Sequence, residues 1–129
     1  MLKNFLLLCL VINLSLTSCQ KDDEQKNLDI TVTGRVTNQN DVGVGDVTIY
    51  IQRGALNSNN GPTNYISYET VKTNSNGNYH YIVKNDNHSY KLCCGIPQGY
   101  TSVDEFCKFV NHNIINSQTV PNIINFKLE

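Results

Sequence analysis

An excess of charge of either sign is missing from this chain. Ten Lys and Arg stand against eleven Asp and Glu, a formal net charge of −1 at pH 7. The cations are scattered singly, and phosphate binding depends on several that converge, so nucleic acid is not an expected partner. Long apolar runs are missing too. The run from Phe5 to Ile12 stops well short of the roughly 20 residues that a membrane-spanning helix requires. No Cys-x-x-Cys pair, no glycine-rich phosphate loop and no serine in a nucleophile elbow occurs. Four metal ligands at familiar spacings are also lacking, which argues against a zinc site.

The start of the chain reads as a lipid address. Lys3 gives a basic start, Phe5 to Ile12 an apolar core, and Leu16-Thr17-Ser18 lead to Cys19. This resembles the lipobox of bacterial lipoproteins. The resemblance implies that residues 1–18 are a signal peptide removed on maturation, and that Cys19 carries a diacylglyceryl group and an N-acyl chain. That covalent lipid is the only expected cofactor; no metal is expected. Each buried methylene contributes about 0.8 kcal/mol, so anchoring by several chains is effectively permanent. An ordinary secretory signal with a cysteine near its end is the alternative.

Gln20, Lys21, Asp22, Asp23 and Glu24 follow at once. They are similar to the surface-export signal of lipoproteins in the Bacteroidetes group. This implies an outer-membrane protein displayed on the cell surface, with a periplasm-facing orientation as the alternative. The same residues also suit a flexible acidic tether over 19–28, since such a polar stretch cannot bury enough apolar surface to order itself.

Residues 29–129 remain, the size of one compact domain. Their pattern has the period of strands. Ile30, Val32 and Val36 fall on one face with Gly34 between them, and Val47, Ile49 and Ile51 on another. An aperiodic loop is expected from about Arg53 to Asn64, then a strand over Tyr65–Thr73, a turn at Asn74-Ser75-Asn76-Gly77, and a strand over Asn78–Val83. After a turn at Asn85–Asn87, Tyr90, Leu92 and Cys94 alternate inward. Val103–Val110 fits a helical turn or a strand, and the strand is preferred. Ile124, Phe126 and Leu128 mark a closing strand. About seven short strands with evenly spaced turns predict an all-β, two-sheet sandwich.

Several stretches together resemble a carboxypeptidase-regulatory-like domain, a sandwich of transthyretin-like (prealbumin-like) topology. They are Thr33-Gly34-Arg35-Val36-Thr37, Val44-Gly45-Asp46-Val47-Thr48-Ile49, Thr73-Asn74-Ser75-Asn76-Gly77-Asn78-Tyr79, Tyr90-Lys91-Leu92 with Gly99-Tyr100, and Ile124–Leu128. The match spans most of the domain. The chain departs from the pattern at Asn74, where Asp is usual, and at Asp46, where Gly is usual. The family implies architecture and an appended, non-catalytic module rather than an activity. Two enzyme families with related sandwiches do not match. One ends in Tyr-Arg-Gly-Ser where this chain ends Lys127-Leu128-Glu129, and the other needs two His spaced by two residues, which His80, His88 and His112 do not supply. His80 and His88 read as solvent-facing, and Asp104-Glu105 as diverging neighbours.

Among the domain's cysteines, Cys107 is expected to bridge to Cys93 or Cys94, closing a loop of about thirteen residues that contributes on the order of 3 kcal/mol. Adjacent residues on a strand point to opposite faces. Pairing through Cys93 buries Cys94 as a small apolar residue, whereas pairing through Cys94 leaves Cys93 exposed for a bond between molecules. The expected function is a lipid-anchored envelope module that recognises a protein or a glycan, with Tyr50, Tyr65, Tyr68, Asn59 and Asn60 as binding residues. Tyrosine suits that role because it offers a flat face and a hydroxyl at low ordering cost. The alternatives are an assembly subunit that uses a strand edge or a free cysteine, and a sandwich-fold enzyme.

Overall fold

Alternation turns one side of each strand inward, and two sheets close over the apolar residues so gathered. The computed structural model describes residues 28–55, 64–112, 114–115 and 118–129. Cys19, the Gln20–Glu24 cluster, Asn59 and Asn60 lie outside the described residues. The strands are β1 (Ile30–Thr37), β2 (Thr48–Ala55), β3 (Tyr65–Lys72), β4 (Asn78–Val83), β5 (His88–Cys94), β6 (Cys107–Phe109), β7 (Ile114–Ile115), β8 (Gln118–Thr119), β9 (Asn122–Ile123) and β10 (Phe126–Lys127). In the first sheet β1 is central, with β4 on one side and β9 and β10 on the other. The second sheet runs β3-β2-β5-β6, and β7 and β8 form a small hairpin.

The core is the set that alternation predicts. Ile30, Val32, Val36, Val47, Ile49, Ile51, Tyr79, Val83, Tyr90, Leu92, Cys94, Ile124, Phe126 and Leu128 are all buried in one cluster. Thr73 explains why a threonine opens the central turn. Its hydroxyl donates to the Val44 carbonyl (2.8 Å) and accepts from the Val47 amide (2.9 Å), stapling the β1–β2 connection to the β3–β4 turn. Within that turn Asn74 Oδ1 accepts from the amides of Asn76 and Asn78. Asp46 takes φ +60°, a left-handed conformation that glycine adopts more readily.

Three expectations need correction. Arg53 does not open a loop, because Arg53, Gly54 and Ala55 remain paired in β2 with β5, and the rest of the expected loop, 56–63, lies outside the described residues. The stretch 103–110 is not one strand. Val103 bridges to Leu128 in the first sheet, the chain bends at 104–106, and only Cys107–Phe109 pairs with β5. Asp104 fixes the bend, its carboxylate accepting from the Lys127 amide (3.0 Å) and from Lys108 Nζ (3.0 Å). The closing strand runs parallel to β1 and is interrupted. β9 and β10 keep one register, from Val32 opposite Asn122 to Thr37 opposite Lys127.

A backbone bond from the Ile124 amide to the Thr33 carbonyl (2.8 Å) and two side chains carry the ladder across the interruption at Ile124-Asn125. The Arg35 amide donates to Asn125 Oδ1 (2.9 Å), and the Tyr79 hydroxyl, from β4, donates to the Ile124 carbonyl (2.5 Å). Tyr79 faces Gly34 directly across the β1–β4 pair. A β-carbon on Gly34 would lie on the Ile124 carbonyl oxygen and 2.6 Å from the tyrosine ring. Glycine is required there for close approach.

The pairing also defines two ends. Asp29 leads into β1 at the end where β4 and β2 finish and where β3 and β5 begin, the tether end after the tether expected over 19–28. The turns at 38–47 and 73–77 and residues 95–102 lie at the far end.

Candidate functional site

The outer face of the second sheet follows from register. Tyr90, Leu92 and Cys94 point inward, so Ser89, Lys91 and Cys93 point out, together with their partners Gly54, Gln52 and Tyr50 on β2 and Phe109 and Cys107 on β6. Tyr65 and Ser67 join them from β3. Tyr65 meets Phe109 edge to face (5.9 Å between centroids, 62°), carries the Lys91 ammonium over its ring at 4.4 Å, and shares a 2.7 Å hydrogen bond with Ser89 Oγ. Phe109 is 64% exposed and Tyr50 40%. The Cys93–Cys107 disulfide crosses this face and ties β6 to β5. The result is a flat platform with two exposed aromatic rings and amide, hydroxyl and ammonium groups between them.

Tyr68 does not belong to that platform. A register shift between Ile51 and Gln52 leaves it as the extra residue of a bulge, still 37% exposed but set toward Arg53 and Tyr90 rather than Lys91 and Phe109. There it packs edge-on against Tyr90 (6.1 Å), with the Arg53 guanidinium 4.4 Å from its ring centroid. The structure thus groups Tyr50 and Tyr65 with Phe109 and Lys91, which sequence reasoning missed, and separates Tyr68. The missed signal is the alternation of β5, which assigns Lys91 to the outer face once Tyr90 and Leu92 are inner.

A second cluster closes the core at the tether end. Tyr90 donates to both oxygens of Asp86 (3.2 and 3.0 Å). Burial and the Asp86 carboxylate together push its phenol up to about 12, so it stays a donor at any physiological pH. His112 stacks on Tyr90 with ring centroids 6.3 Å apart. His88, expected in a turn and facing solvent, instead opens β5. Its side chain stays 36% exposed, but Nδ1, 3.1 Å from Asp86 Oδ1 and out of hydrogen-bonding direction, is a buried atom with no hydrogen-bond partner among the described residues, as is His112 Nε2. His80 is exposed, as expected. No three metal-ligating side chains converge among the described residues. Among the described residues no hydroxyl or thiol hydrogen-bonds to either imidazole.

Burial holds His112 below its ordinary value, opposed in part by Asp86. A histidine that binds a proton less readily folded than unfolded makes stability fall with pH. Its contribution is intact above the unfolded value of 6.5 and is lost as the pH drops below it. The Tm is expected to fall between about pH 7.5 and 5, and to fall less in a His112→Phe variant that keeps the ring stack. Equal falls in both proteins would remove His112 as the cause.

A cleft of about 410 Å³ is lined by Arg35, Asp41, Asp104, Lys108 and Lys127 among others. Its lysines are already engaged, Lys127 with Asp41 (2.9 Å) and Lys108 with Asp104 (3.0 Å). Such part-exposed pairs contribute about 0–1 kcal/mol and fill the cleft with satisfied charge. Cys94 is buried and free, and burial followed by the Asp104 charge pushes its thiol up to about 11. No family model matches the chain, and no curated protein matches it.

Proposed function

We propose that this protein is a lipid-anchored, non-catalytic binding module of the cell envelope, held on the outer membrane through Cys19 and displayed at the cell surface. The likeness to carboxypeptidase-regulatory-like domains and the Gln20–Glu24 cluster support that placement. The observation that carries the binding role is the disulfide-clamped platform of Tyr50, Tyr65 and Phe109 around Lys91 and Gln52. Exposed aromatics on a rigid sheet bind at low entropic cost, and the surrounding amide and hydroxyl groups fix orientation. A flat face without a deep cavity fits a protein surface or a glycan chain better than a small substrate.

Panels of envelope and host glycans and proteins, screened against the immobilised domain, test this reading. The paired substitutions Tyr50→Ala and Phe109→Ala are expected to weaken any binding found at least tenfold, about 1.4 kcal/mol, while the thermal unfolding midpoint stays near that of the parent. Binding that survives the pair would move the recognition surface elsewhere.

One observation favours an assembly role as a second reading. β3 is exposed over nearly its whole length and forms an edge of its sheet, an open template for another strand. A mass that rises with concentration and falls on substitution of Ser67 by Pro in this edge would favour it.

A further inference from the structure

We infer that the outer face of the first sheet rests on the lipid surface to which the chain is anchored, and so turns the aromatic platform away from the membrane. The inference deepens the proposed function and rests on lipidation at Cys19. Register sets the face. Ile30, Val32, Tyr79 and Val83 point into the core, so Thr31 with Ile82, and Thr33 with His80 and Ile123, point outward in two adjacent cross-strand rows. Ile123 is 74% exposed and Ile82 49%. Two large aliphatic side chains standing free among threonines on a flat sheet suit an interface that is apolar on one side and hydrated on the other. The next rows along the same face carry Arg35 and Lys127, whose polar ends are already engaged, Arg35 Nε with the Asn76 carbonyl (3.1 Å) and Lys127 with Asp41 (2.9 Å), so the contact rests on the two isoleucines.

Position selects the occupant. Both rows fall within the first four residues of β1, at the end where Asp29 joins the tether. About ten residues separate Asp29 from Cys19, and a chain of that length spans at most roughly 35 Å even when fully extended. β1 itself is roughly 26 Å long. The patch is therefore always within reach of the surface that holds the acyl chains, at an effective concentration in the millimolar range. A contact too weak to recruit a free domain is strong enough to orient a tethered one. In a two-layer sandwich the outer faces point in opposite directions, so this contact presents Tyr50, Tyr65 and Phe109 outward.

The chain contains no tryptophan, which makes the test direct. Full-length acylated protein is prepared as Ile123→Trp, Ile82→Trp and Phe109→Trp variants on vesicles of phosphatidylethanolamine and phosphatidylglycerol with bromine in the acyl chains. The first two are expected to shift emission to the blue and lose at least half of their intensity to bromine quenching, while the Phe109→Trp variant keeps water-exposed emission. Acylated protein that floats with the vesicles but shows no quenching at either isoleucine position, or equal quenching at all three positions, overturns the inference and leaves the anchor intact. Protein whose Cys19 peptide carries no lipid by mass, and which stays in solution, overturns the anchor and the inference together.

Discussion

A Gly34→Ala variant is expected to lose about 1–5 kcal/mol of folding stability, where strand propensity alone predicts a gain of about 0.5–1 kcal/mol from replacing glycine with alanine. The opposite sign comes from the interrupted ladder. The new methyl group meets the Ile124 carbonyl and the Tyr79 ring at once, and backbone on one side and a buried ring on the other leave it nowhere to relax. Overpacking of this kind costs about 1–3 kcal/mol. Displacing Tyr79 adds the loss of its bond to Ile124 and leaves a buried carbonyl unpaired, about 1–3 kcal/mol more. For a domain of this size the sum is a large part of the roughly 5–15 kcal/mol that holds such folds together. Urea titration measures it. Tyr79→Phe alone is expected to cost about 1–2 kcal/mol, and the double variant less than the sum, because both substitutions break one contact. A Gly34→Ala protein as stable as the parent would mean that the Tyr79 bridge does not support the parallel strand.

That bridge also marks the limit of what alternation reveals. Every residue that period-two patterning assigned to the inside of β1, β2 and β5 is buried, and the Asn74–Gly77 turn lies where its residues place it, because those features depend on neighbours along the chain. The direction of the closing strand does not. Ile124, Phe126 and Leu128 alternate identically whether they pair with β1 parallel or antiparallel, and only the long connection through β6 to β8 selects the parallel case. The bend at Asp104 was likewise hidden, since it depends on the Lys127 amide, 23 residues away. The candidate surface was half legible. Tyr50 and Tyr65 could be chosen as exposed aromatics, but the bulge that sets Tyr68 toward Tyr90 and the register that brings Phe109 to Tyr65 arise from pairing across strands. The two histidines at the tether end are the same case. His88 and His112 lie far apart in sequence, and β5 and the chain after β6 deliver both to Asp86 and Tyr90.

Removing the disulfide by the paired substitutions Cys93→Ser and Cys107→Ser is expected to cost about 3 kcal/mol, the chain-entropy value for a loop of about fifteen residues. The bridge spans a sequence separation of 14. Substituting both cysteines leaves no unpaired partner to form bonds between molecules. The loss is also expected to be local. β6 is only three residues long and holds to β5 through Lys91–Phe109, Leu92–Lys108 and Cys93–Cys107, so the bridge constrains a third of that pairing. Hydrogen exchange at the Lys108 and Val110 amides, which face β5, should accelerate more than at the β2–β5 pairing, and Phe109 should lose its edge contact with Tyr65. Cys94 does not compensate. Its thiol points into the core, donates to the Gly95 carbonyl at 3.3 Å, and with its pKa near 11 supplies almost no thiolate at neutral pH. Cys94→Ala is therefore expected to leave the bridge intact. If the paired serine variant unfolds within about 0.5 kcal/mol of the parent with β6 still protected, then Phe109 is held by packing alone and the clamp is dispensable. If β6 frays while the β2–β5 core persists, the platform is a part of the fold that only the disulfide keeps flat, and partner binding should fall as far as it does on removing Phe109 itself.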